Sequence, residues 1–173
     1  MNSTPLEKKQ NETGYNFDNK QNLKWRELDA FVGSYSKDTG FIDNELVENQ
    51  LKKILGDDYN SYMRFVKSAG SGIVEKLDDI IYCDISLEHI SGYNSLILIN
   101  MKEREMYLFW MNGTVRDKNF KIYGKRPIPL QIKKIIEDDM NTGWGHVARF
   151  EFKNDSLLIN LKLNSIEDDK FGK

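Results

Sequence analysis

Cysteine occurs once in the chain, at Cys83, so no disulfide can form within it. That usage fits a reducing compartment and is also compatible with export. Histidine occurs twice, at His89 and His146, and with one cysteine this makes a structural zinc site hard to assemble. No run of about 20 apolar residues is present, so no segment is expected to span a bilayer. The N-terminal residues contain no apolar core of a secretory signal. Gly-x-Ser-x-Gly, His-Glu-x-x-His, a phosphate-binding glycine loop ending in Lys-Ser/Thr and an EF-hand loop are all missing. No cofactor is expected. Neither sign of charge dominates: 25 basic and 27 acidic side chains leave a formal net charge of −2. Nothing in that balance favours nucleic acid or an anionic membrane as partner.

What is there is an ordinary globular composition, 39% hydrophobic and 30% charged over 173 residues, enough for one domain with a sizeable core. Residues 1–22 are polar and rich in Asn and Lys, a composition expected to be disordered. They look like the tether that follows the lipidated cysteine of a bacterial lipoprotein, or equally like a frayed cytosolic N-terminus. Residues 23–164 are expected to form a single domain, and residues 165–173 a loose polar tail.

Within the domain the hydrophobic period is first helical. Leu28, Phe31, Val32 and Tyr35 mark a short helix. Asp43 is the expected N-cap of a second, with Val47, Leu51, Ile54 and Leu55 inward and Gly56 as its stop. Asp57 or Asp58 is expected to cap a third, carrying Tyr59, Tyr62, Met63 and Val66. After the break at Ser68–Gly72 the period becomes two. Strands are predicted over 73–77, 80–85, 95–100, 106–111 and 120–123. The 106–111 strand is apolar on both faces and should lie centrally. Asn112-Gly113 is read as a two-residue hairpin turn. Pro127 and Pro129 lead into a fourth helix with Ile132, Ile135, Ile136 and Met140 on one stripe, ended by 142–145. A closing hairpin places His146, Ala148, Phe150 and Phe152 on one side and Leu157, Ile159, Leu161 and Leu163 likewise, turning at Asn154-Asp155. Helices first, then strands, one helix and a hairpin predict an α+β fold with a mainly antiparallel sheet.

Few residues point to chemistry. Cys83, late in a strand, reads as a buried and inert thiol. His89 lies in the Ser86–Gly92 loop between two apolar strands, where a histidine can anchor a partner or move a proton, or simply be solvated. His146 reads as structural at the sheet end. The pairs Asp57-Asp58, Asp78-Asp79, Asp138-Asp139 and Asp168-Asp169 fall at caps, turns, helix ends and the tail, where acids are usually solvated. Trp144, between two glycines, is either a contact residue on a loop or a plug over the end of the sheet. The expected contact surface is the 86–93 loop, with Glu88, His89, Ser91 and Tyr93, and Trp144 as a second anchor.

Several of these residues carry a family resemblance. Ile54-Leu55-Gly56-Asp57-Asp58-Tyr59, Cys83, His89, Gly92, the strands 95–100 and 106–109, and Ile122-Tyr123-Gly124 together resemble small bacterial periplasmic proteins related to the inhibitor of vertebrate lysozyme, over roughly half the chain. In that family a short loop carries cysteine, histidine, a second cysteine and glycine, and in the inhibitor the histidine enters the enzyme's cleft. Here Cys83 lies six residues before His89, and Ser91 stands where the second cysteine would be, so the stiffening disulfide is missing. The resemblance implies an exported binding protein whose loop histidine, His89, meets a protein partner. Three functions are therefore expected in order. The first is a non-enzymatic envelope protein that inhibits or confers immunity to a cell-wall hydrolase or toxin. The second is a cytosolic immunity or interaction protein, and the third a small hydrolase using His89 with Glu88 or Cys83. The sequence leaves the oligomeric state open.

Overall fold

The computed structural model describes residues 23–87 and 93–162. Among them, besides a helical segment at residues 23–26, are the α-helices α1 (Glu45–Leu55), α2 (Tyr59–Ser68) and α3 (Leu130–Trp144), and two antiparallel sheets. The larger sheet holds β1 (Gly70–Ser71), β2 (Glu75–Leu77), β3 (Ile80–Ser86), β4 (Asn94–Asn100), β5 (Glu105–Met111) and β6 (Phe120–Tyr123). Its order is β1-β3-β4-β5-β6, with β2 also paired to β3. The smaller sheet is the hairpin β7 (Ala148–Lys153) and β8 (Ser156–Leu161). The class is α+β, as the order of periods in the sequence indicates.

The layering follows from alternation along strands that are buried on both sides. On one face Ile81, Cys83, Ile85, Ile97, Ile99, Leu108 and Trp110 meet Val47, Leu51 and Leu55 of α1 and Tyr62, Phe65 and Val66 of α2. On the other, Leu96, Leu98, Tyr107, Phe109 and Met111 meet Ile132, Ile136 and Met140 of α3 and Ala148, Phe150, Leu157 and Ile159 of the hairpin. The large sheet is thus the middle of three layers. Its inner strands read as near-continuous apolar runs because neither face touches water.

Local chemistry sets the helix ends. Asn44, rather than Asp43, caps α1: its Oδ1 accepts from the N–H groups of Leu46 at 3.0 Å and Val47 at 3.4 Å. Gly56 closes α1 with φ +53. Asp58 does not cap α2 through its side chain. Its carboxylate is taken instead by β6, accepting from Lys121 Nζ at 2.8 Å and Tyr123 Oη at 2.7 Å. The chain ahead of α1 is helical at residues 23–26 and tightens to a short 3-10 turn over Glu27–Phe31. Leu28 is buried there, but Val32 and Tyr35 are exposed, so the expected helical stripe ends at Phe31. Residues 33–36 bond across to 72–74 instead, around the isolated antiparallel bridge of Tyr35 with Ile73. Gly33 N–H donates to Val74 O and Val74 N–H to Ser34 O, both at 2.8 Å, and Ser36 N–H to Gly72 O at 3.1 Å.

That pairing takes up residues 72–74, so only Glu75–Leu77 (β2) of the expected 73–77 strand joins the large sheet, with β1 (Gly70–Ser71) ahead of it across a break. The break falls at Gly72, where a Cβ would overlap the Asp84 carboxylate. The Asn112-Gly113 pair is likewise not a two-residue turn. Met111 pairs with Phe120, and the connection 112–119 is closed by Asn112 N–H to Asn119 O at 2.9 Å and Asn119 Nδ2 to Asn112 O at 2.7 Å. Within it, Asp117 Oδ2 accepts from the Thr114 backbone and hydroxyl.

Candidate functional site

One register row defines an end of the large sheet. Gly70, Ser86, Asn94, Met111 and Phe120 stand side by side across β1, β3, β4, β5 and β6. The loop between β3 and β4 leaves from this row, and Leu87 N–H donates to Tyr93 O at 3.1 Å across its stem. Glu88, His89 and Ser91 of the expected contact surface lie outside the described residues, within the segment this stem carries. Tyr93 is half-buried and packs with Leu87 against the α1/α2 core.

Two helices reach the same end. α2 crosses the sheet along it: Asp58 bonds β6, Tyr62 Oη and Ser95 Oγ lie 3.0 Å apart over β4, and the chain then enters β1 beside Ser86. On the opposite face α3 runs alongside β3. Its first turn meets the β2–β3 turn, where Gln131 Nε2 donates to Asp78 Oδ2 at 3.4 Å. Its last turns meet the row, where Asn94 Nδ2 lies 3.8 Å from Met140 Sδ. Trp144 is one turn beyond Met140 and is the last residue of α3, so it is not on a loop. It is half-buried against the second core, with its ring stacked on that of the exposed His146 at 6.4 Å between centroids. His146 precedes β7 rather than beginning it. The loop stem and Trp144 therefore share one end of the molecule but sit on opposite faces of its sheet.

α3 is held in place by its contacts to the hairpin. Asn141 bonds both backbone groups of Phe150 at 2.9 Å, acting as a short extra strand. Lys133 pairs with Asp155 at 2.8 Å, and Glu137 accepts from the Phe152 N–H.

Burial also collects acids here, a feature the sequence reading missed. By sequence Asp138-Asp139 is a solvated pair at a helix end. Asp138 is exposed, but Asp139 is only partly exposed and faces the sheet. Burial, reinforced by the charge of Asp84, pushes its carboxyl up to about 6, while the Asn94 amide pulls it down. Asp84 is raised too, chiefly by burial, and Glu75 adds to the effect on both. Tyr82 Oη donates to Glu75 Oε2 at 2.9 Å. The signal was present: Asp139 lies three and four residues after Ile136 and Ile135, on the apolar stripe itself. Asn94 Oδ1 is buried beside this cluster with no partner among the described residues.

Cys83 points the other way, into the α1/α2 core, fully buried. Burial pushes its thiol up to about 12, with Asp84 adding and Ser36 opposing. No group of three His, Cys, Asp or Glu side chains among the described residues is placed to hold a metal. No helix among them is long and apolar enough to cross a membrane. Comparison with protein-family models, with curated proteins and with solved structures returned no significant match.

Proposed function

We propose that the protein is a non-enzymatic binding protein of the bacterial envelope that blocks a protein partner, a cell-wall hydrolase or a toxin, through the sheet end carrying the 86–93 loop. The observation behind this reading is convergence. The loop stem at Leu87 and Tyr93, the 112–119 connection, the crossing of α2 and the end of α3 with Trp144 all meet at the Ser86–Asn94–Met111–Phe120 row. A loop mounted on rigid strands is where recognition residues are usually found, and a large aromatic at the same end, on the opposite face of the sheet, adds a typical anchor. The Asn- and Lys-rich composition of residues 1–22 supports the envelope address.

A lysis-inhibition titration against lysozymes of different types tests it, with His89→Ala and Trp144→Ala alongside. Inhibition by the wild type that is lost in His89→Ala supports both the inhibitor reading and the loop. Inhibition kept in His89→Ala moves the contact away from the loop. No inhibition at large molar excess removes lysozyme as target and directs the search, by pull-down, to a toxin.

A further inference from the structure

An open strand edge invites another chain to pair with it, and folded proteins blunt such edges with short strands, charges, prolines, bulges or a covering element. Most edges here are blunted. β1 and β2 are two and three residues long. β6 carries Lys121, and on its outer side Arg126 Nη2 donates to Ile122 O at 3.1 Å. The outer side of β7 is covered by α3, with Asn141 on both backbone groups of Phe150 and Glu137 on the N–H of Phe152.

β8 has no such protection. Phe150 turns its backbone groups to α3, so Ile159, its partner in register, turns its own away from β7. Leu157 and Leu161 follow by alternation. The N–H and C=O groups of these residues point out of the hairpin, and no described residue bonds to them. The strand is Ser-Leu-Leu-Ile-Asn-Leu, six residues without a charge, proline or glycine. Leu161 lies on the core-facing side with the buried Leu157 and Ile159, yet it is 38% exposed, and Leu158 on the outer side is 41% exposed.

Main-chain donors and acceptors in a row select an extended strand, and this strand is complementary to itself. Antiparallel pairing about a two-fold axis at Ile159 sets Leu157 against Leu161 of a second copy, Ile159 against Ile159, and Leu158 against Asn160. This register engages every outward residue, with two bonds per pair. On the core-facing side it lays Leu157 of one copy beside the uncovered Leu161 of the other, which buries that leucine. No like charges meet along the seam. At each end Lys162 of one copy comes opposite Ser156 of the other, next to Asp155, so the charges that do approach are of opposite sign. We propose that the protein self-associates through β8 as a two-fold dimer, its hairpins joined into one sheet of order β7-β8-β8-β7. Each copy offers one such edge, so the symmetry closes at two. The seam is much shorter than a standard interface of about 20–30 residues a side, so the dissociation constant is expected near about 0.1 mM. The inference goes beyond the loop reading and does not depend on it, since β8 is remote in sequence from the 86–93 loop.

The test is sedimentation equilibrium of the full chain from about 10 μM to 1 mM, a range that brackets the expected constant. A reversible monomer–dimer equilibrium is expected. Leu161→Pro removes only an outward N–H, which an edge strand tolerates, and Leu161→Lys sets a charge at the seam on a side chain already exposed. Each is expected to raise the dissociation constant at least about tenfold, and dispersed NMR spectra establish which variants fold. The register is read by cross-linking. Leu158→Cys and Asn160→Cys proteins, mixed and oxidised, are expected to link to each other and not to themselves, because only residues directly opposite come within disulfide reach; the native Cys83 is buried and does not compete. A wild type that stays monomeric at the highest concentration overturns the proposal and leaves the edge to a strand of some other chain. Species larger than a dimer, full association in a folded Leu161 variant, or self-linking in place of the mixed link overturn it as well.

Discussion

Replacing Asp139 with Asn should make the protein more stable at neutral pH, and the size of the gain should depend on pH in a defined way. Asp139 is mostly buried between α3 and the sheet, and its carboxyl is moved from 3.8 to about 6 by that burial and by the charge of Asp84. A carboxyl that holds its proton more tightly folded than unfolded penalises the folded state once it ionises. The penalty is absent below about pH 3.8, grows as the pH rises, and levels off above about pH 6. Its full size is about 3 kcal/mol at most, from the distance between the two values at 1.36 kcal/mol each. Asn keeps the shape and carries no charge, so Asp139→Asn should match the wild type near pH 3.5 to 4 and exceed it by about 2–3 kcal/mol at pH 7. Urea unfolding of both proteins at several pH values measures this, and the carboxylates not coupled to Asp139 cancel in the difference. A difference that stays constant with pH, or one that shrinks as pH rises, would refute the placement of Asp139 in a dry contact.

Three further outcomes are expected. Gly124→Ala should cost about 1–3 kcal/mol, because Gly124 has φ +125 and a Cβ there would stand 2.5 Å from Tyr107 Cδ1; thermal denaturation checks it, and an unchanged midpoint would contradict the close approach. Tyr62→Phe should cost about 1–2 kcal/mol, since it strips the fully buried Ser95 hydroxyl of its partner at 3.0 Å, and chemical denaturation reads the loss. Cys83 should react with a thiol reagent only as fast as the protein opens, because its thiol is buried and pushed up to about 12. Labelling at a rate independent of denaturant and close to that of a free thiol would place Cys83 at the surface.

The sequence disclosed those features whose causes are local. Val47, Leu51 and Leu55 repeat at helical spacing and are buried at that spacing, and the alternation in β3 separates Ile81, Cys83 and Ile85 from their neighbours. Features decided by distant partners were hidden. Asn44 and Asp43 are equally plausible caps, and only the entry angle of the chain selects Asn44. Asn112-Gly113 has the chemistry of a tight turn, yet the Met111–Phe120 register places the turn among later residues. Trp144 looked like a loop residue because glycines flank it, but the Asn141 bonds to Phe150 hold the helix through that point. The candidate site was legible as a loop and an aromatic. Their common end, their opposite faces and the buried Asp139 came only from the way α3 lies along β3.

The two outer layers come from opposite ends of the chain, and this bears on the order in which the protein is made. A nascent chain that has reached Tyr123 already holds α1, α2 and every strand of the large sheet. It can close the first core, but Leu96, Leu98, Tyr107, Phe109 and Met111 have no cover until Ile132 to Ile159 leave the ribosome. For that interval the polypeptide carries a flat apolar sheet face open to solvent, the kind of surface on which chains aggregate or chaperones act. The α3–hairpin unit is therefore a lid fitted last, and C-terminal truncations should be lost to aggregation rather than accumulate as smaller folded domains.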